Sequence, residues 1–204
     1  MMPLRRLLTG LSNNHDMMRK RKVSQQQVDN LLDDAAYLQS EAEALRYVIE
    51  QVPYGDEPPE GKSIYSMLSL IDHAQIDYYR PLFEKIFSEN RLIKLSGVEH
   101  FDATFEISSD GHEKKDLNVD KLLKNIIKHR AGILTFLRKM PLIDWERELK
   151  DTDGQSISMY QFVDQMVKAE RKVLKDIADL VLIYQNEKLS TREITARAKQ
   201  RKQT

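Results

Sequence analysis

Two stretches 95 residues apart open a helix in the same way, and this doubling limits the chain to few folds. Gly61-Lys62-Ser63-Ile64-Tyr65-Ser66-Met67-Leu68 begins one amphipathic segment, and Gln155-Ser156-Ile157-Ser158-Met159-Tyr160-Gln161-Phe162-Val163 begins the other. With Ser63 set against Ser158, Ile64 meets Met159, Met67 meets Phe162, Leu68 meets Val163, Ile71 meets Met166 and Tyr78 meets Val173. A serine at such a boundary caps a helix, its hydroxyl accepting from a backbone N–H of the first turn. Ser158 followed three residues on by Gln161 adds the reciprocal bond of a capping box. A repeated helix start with matched apolar positions implies two related helical hairpins packed into one bundle.

The periodicity along the chain supplies four helices. From about Ser24 to Val52 the apolar positions Leu31, Ala35, Leu38, Ala42, Leu45, Ile49 and Val52 alternate in steps of four and three. That is the heptad seam of helices packed nearly parallel. Pro53 through Gly61, with Pro58-Pro59, breaks this helix and forms a loop. A second helix runs from Ser63 to about Phe87 with Ile64, Met67, Leu68, Ile71, Ala74 and Tyr78 inward, and Pro81 kinks it. Residues 88–117 form a long polar crossover, in which Phe101, Ala103, Phe105 and Ile107 alternate as in a short strand and Asp110-Gly111 marks a turn. The third helix spans about Val119 to Met140, with seam Val119, Leu123, Ile126, Arg130, Ile133, Leu137 and Met140. Pro141 to Ile157 connects it, through Trp145 and the Asp153-Gly154 turn, to a fourth helix with seam Met159, Val163, Met166, Glu170, Val173, Ile177, Leu180 and Tyr184. The expected fold is all-α, a four-helix bundle of up-down-down-up or crossover type with a long link between helices two and three.

Composition narrows the function classes. The 204 residues are enough for one domain with a real core. There is no cysteine, which rules out disulfides, thiolate metal sites and a cysteine nucleophile. No apolar run approaches the ~18 residues of a membrane span, and Leu7-Leu8-Thr9-Gly10-Leu11 is too short and broken for a signal-peptide core. The expected location is cytoplasmic. The formal charge is zero but unevenly spread: residues 1–22 hold six bases against Asp16, residues 190–204 five against Glu193, and the body from 23 to 189 is left at −9. The ends therefore read as a basic N-terminal extension, within which Met17 and Met18 are alternative starts, and a basic C-terminal tail. Neither places aromatics among its bases as single-strand binders do, so solvated ends are preferred to a nucleic-acid contact.

Helices three and four each interrupt their apolar seam once, at Arg130 and Glu170. Counted from the connection between them, the two charges fall at nearly one level, roughly 15–18 Å from the loop at about 1.5 Å per residue. Opposite charges facing inward at one height should pair, because either alone in the core costs several kcal/mol. Such a pair fixes helix register; alternatively it is the polar floor of a pocket in which Arg130 holds a small anionic group. His129 borders the same stripe of helix three as a satisfied core histidine or a catalytic one. His73 shares an outer face with Asp77, while His15, His100 and His112 have no partner at ligand spacing. No Ser-His-Asp arrangement, glycine-rich phosphate loop or zinc spacing is present.

Gly61-Lys62-Ser63 at the second helix, Leu137-Arg138-Lys139-Met140-Pro141 followed by Asp144-Trp145-Glu146-Arg147, and the Ser158 helix start together resemble the DinB-like superfamily over roughly residues 27–185. That superfamily includes damage-inducible DinB and the bacillithiol and mycothiol transferases. The resemblance implies a four-helix bundle with an internal pseudo-repeat, often a homodimer. It also implies a divalent metal held by three histidines, one early in helix two and two spaced by four on helix four. Such a metal activates water or a small thiol.

Carried over residue by residue from Ser63 and Ser158, those three ligand positions fall on Leu70, Ala169 and Val173. None has a donor atom, and no cysteine can substitute. The expected function is thus a DinB-like binding or assembly module without the family metal and without a cofactor. The alternative is a metal-dependent thiol transferase or hydrolase with a displaced site near His73, His129 and Glu170, in which case zinc, nickel or manganese is the cofactor.

Overall fold

The computed structural model describes residues 23–59, 61–88, 93–94, 118–150 and 154–201, with backbone only at 93–94 and beyond 192. The expected N-terminal extension, the alternation at Phe101–Ile107, the Asp110-Gly111 turn and the histidines at 15, 100 and 112 lie outside these residues.

Helix α1 runs from Gln25 to Ile49. Ser24 caps it through a capping box with Gln27, and all seven seam residues expected for it, Val52 included, are buried. Ser63 caps α2, Ile64–His73, its hydroxyl accepting from Ser66 N. The second bundle helix then widens into a π-helical turn, Ala74–Tyr79, before resuming as α3, Arg80–Ser88. Helix α4 spans Val119–Leu137 with Asn118 as its cap. Helix α5 spans Met159–Arg201, 43 residues or about 65 Å, so the segment expected as a C-terminal tail continues its helix. Ser158 and Gln161 make the expected capping box at its start.

The π turn corrects the expected inward face of the second helix. Tyr79 and Gln75 are fully buried, whereas Tyr78 is only partly so. In the π turn the Arg80 N–H donates to the Gln75 carbonyl, five residues back. Pro81 offers no N–H, and its ring would crowd the carbonyl four residues before it in a regular α-helix. Widening the turn upstream gives the ring room. The insertion also advances the second helix by one residue against its repeat partner. Up to Gln75 and Glu170 the offset is 95; beyond it, buried Tyr79 and Phe83 match buried Val173 and Ile177 at an offset of 94.

Inter-helix contacts set the topology. Arg46 pairs with Asp120, and the Val23 N–H donates to Glu146, so α1 and α4 run antiparallel. Arg171 pairs with Asp34, and Lys188 donates to the Gln51 carbonyl, so α1 and α5 run parallel. α2 packs on α4 and α5, and so does α1. The order around the bundle is therefore α1, α4, α2, α5, with directions up-down-down-up. The two repeat units are not side-by-side hairpins: α1 lies diagonally opposite α2, and α4 opposite α5.

One end of the bundle carries a small three-stranded sheet that the periodicity does not reveal. Strand β1, Ile93–Lys94, runs parallel to β2, Glu148–Lys150, which pairs antiparallel with β3, Ser156–Ser158. The short 3₁₀ helix Leu142–Glu146 precedes β2 and buries Trp145 against α5, with its ring 6.5 Å from that of Tyr160. Trp145 thus closes this end of the core. No helix among the described residues is long and apolar enough to cross a membrane.

Candidate functional site

At the centre of the bundle Arg130 and Glu170 meet, both only 1% exposed, the guanidinium Nη2 against the carboxylate Oε2. They come from diagonally opposed helices, so their contact spans the core. Gln75 joins them from the π turn, its Nε2 donating to Glu170 Oε1 at 3.0 Å. Gln75 and Glu170 are 95 residues apart, hence equivalent positions of the repeat that meet each other. Burial pulls the Arg130 pKa down to about 10, with Tyr79 acting in the opposite direction. That value still leaves Arg130 charged at neutral pH. Tyr79 itself is pushed well above the usual phenol range by burial.

A groove of about 1380 Å³ opens between α2, α5 and the loop that joins α1 to α2. Its inner half, from Phe162 to Ala169 of α5, carries no charge and is lined by Tyr79, Phe162, Met166, Ala169 and the exposed Gln165, with Met67 and Leu70 lining it farther along from α2. Behind the lining, Phe83 joins Tyr79 and Phe162 in an aromatic cluster, with ring centres 6.0–6.4 Å apart. Val173 and Leu180 continue the apolar wall outward. The outer half is bordered by Asp56 and Glu57 on the loop and by Asp176, Asp179 and Glu187 on α5, with Lys62 and Lys172 between. Tyr184 ties the two sides together, its hydroxyl donating to the Asp56 carbonyl at 3.4 Å.

Leu70, Ala169 and Val173 all face this one groove. The residues singled out as pocket candidates do not. Arg130 and Glu170 are buried against each other, so the polar floor expected from them is absent from the groove's lining. His129 pairs with Asp72 across α4 and α2, Nδ1 to Oδ1 at 2.9 Å, both groups mostly buried. Burial raises the Asp72 pKa, with the His129 hydrogen bond lowering it in part. His73 pairs with Asp77 at 2.7 Å on the exposed face of α2. Among the described residues no three histidine, cysteine, aspartate or glutamate side chains cluster at metal-binding distance.

Periodicity passes over Gln75, Tyr79, Asp72 and the acidic border of the groove. One signal for Gln75 was present: adding the repeat offset to it gives Glu170, the residue already marked as a break in the apolar seam.

Fold and site together define an up-down-down-up four-helix bundle with a ligand-sized groove between its second and fourth helices. No family model and no curated protein matches the chain. Among solved structures it is similar to YfiT from Bacillus subtilis, described as a probable metal-dependent hydrolase with an unusual four-helix bundle topology. The TM-score is 0.61 at 13% identity, over 79% of this chain and 89% of that one. This likeness is one of fold.

Proposed function

We propose that this chain is a DinB-like bundle that has given up the family's metal centre and uses the groove between α2 and α5 to bind a ligand or partner. One observation carries the reading. The three positions that the resemblance assigns to metal-binding histidines line a single groove, and they hold Leu70, Ala169 and Val173. Aliphatic side chains offer a metal no lone pair, so a three-histidine centre does not fit them. The space has not been filled by larger residues, and an open groove with an apolar stretch and polar groups gathered at one end suits a ligand. A buried Arg130, neutralised by Glu170, gives no support to a small anion as the occupant.

The fluorescence of a neutral apolar probe such as N-phenyl-1-naphthylamine tests this reading. Binding to the purified chain should be saturable and should be lost in Val173→Trp, which fills the groove while leaving the fold intact by circular dichroism. Equal probe binding in that variant would overturn it. A homodimer, as the resemblance implies, is part of the same proposal, and light scattering on the eluting protein decides it.

A second reading rests on the description of YfiT: a metal-dependent hydrolase or thiol transferase with a displaced site near His73, His129 and Glu170. His73 and His129 each have a carboxylate partner, which is how metal-binding histidines are commonly oriented. Metal analysis of untagged protein separates the two readings. Stoichiometric zinc, nickel or manganese that disappears in His73→Ala or His129→Ala would establish the second and remove the first.

A further inference from the structure

The groove is chemically graded along its length, and the grading indicates what it accepts. From Phe162 to Glu187 it follows about 37 Å of α5 at 1.5 Å per residue, so its occupant is elongated. The inner half, around Phe162, Met166, Ala169 and Tyr79, presents mainly hydrocarbon and aromatic rings, with the uncharged amide of Gln165 beside them. The outer half presents five carboxylates, on Asp56, Glu57, Asp176, Asp179 and Glu187, against only Lys62 and Lys172. Glu57, Asp176, Asp179 and Glu187 form no ion pair with a basic residue among the described residues. Carboxylates lining one end of a cleft with low-dielectric walls concentrate cations there.

We infer that the groove binds a long-chain amphiphilic amine, its apolar tail in the Phe162–Met166 half and its ammonium head among the carboxylates of Asp176, Asp179 and Glu187. The inference rests on the proposed use of the groove for binding and adds the sign and position of the ligand's charge. Burial of the tail supplies affinity in proportion to the methylenes removed from water. The carboxylates supply selection: an alkyl carboxylate of equal length meets repulsion at the same end.

The test is displacement of bound N-phenyl-1-naphthylamine from the full chain at neutral pH by decylammonium, decanol and decanoate, all below their aggregation concentrations. Decylammonium should displace the probe at least about tenfold more effectively than decanoate, the size expected of a few partly exposed charge contacts, with decanol between them. In the double variant Asp176→Asn, Asp179→Asn, the advantage of decylammonium over decanoate in displacing the probe should shrink several-fold. Equal displacement by decylammonium and decanoate overturns the charge assignment and leaves the groove reading standing. A probe that does not bind the wild-type chain, or binds Val173→Trp equally well, overturns both.

Discussion

Arg130 illustrates how much a single inward charge commits a bundle. Its guanidinium is 1% exposed and faces Glu170 from the diagonally opposite helix, so neither group can turn to water without parting the helices. Buried pairs of this kind add little net stability over well-packed apolar residues, but removal of one member is costly because the other is stranded. Arg130→Met should therefore lower the unfolding free energy by about 3–5 kcal/mol, measured by chemical denaturation. Adding Glu170→Gln should restore part of that loss, since the amide keeps a partner for Gln75 and carries no charge. If Arg130→Met unfolds at the wild-type denaturant concentration, the pair is not what holds α4 and α5 in register. At this scale the sequence was informative: a lone charge in each apolar seam is visible by spacing alone, and level counting brings the two together. Asp72 as the partner of His129 was not visible, because nothing in one helix's pattern names the residue facing it from another.

At the scale of elements, the seams of α1 and α4 were read residue for residue, because a strict four-three alternation can bury only one face. The second bundle helix was misread after Ala74. Two adjacent tyrosines left the pattern ambiguous there, and a π turn changes the phase without leaving a compositional mark. That turn places Tyr79, Phe83 and Ile86 in the core, all at most 2% exposed. Inserting an alanine after Ile76, itself 37% exposed, would add a second surplus residue to the turn and rotate everything downstream by about 100°. Each large side chain thus withdrawn from the core costs about 3–5 kcal/mol. The insertion variant should consequently show no cooperative thermal transition by circular dichroism. A cooperative melt near the wild-type temperature would mean that the turn absorbs another residue as readily as the first. The groove lay beyond the reach of periodicity for a related reason. Spacing says which face is buried, whereas a groove exists where two buried faces fail to close on each other.

For the whole molecule, the repeat told of two similar halves but not of how they interlock. Each half is a pair of helices placed diagonally, so α1 and α2 make most of their contacts with α4 and α5 rather than with each other. Neither half has an interior of its own: the apolar faces of one are completed by the other. A chain cut within the crossover, giving fragments 1–105 and 106–204, should yield two pieces that are unstructured alone and recover the helical spectrum and cooperative melt when mixed in equal amounts. An independently folded fragment would refute the diagonal arrangement. The same geometry bears on ancestry. A duplicated gene usually begins from a unit that already folds, yet half of this bundle could have done so only by entwining with an identical copy. If the internal likeness between Ser63 and Ser158 records a duplication, the unit duplicated was one half of a symmetric dimer, and Gln75 and Glu170, which touch here, stand where one residue would have met its own twin across the axis.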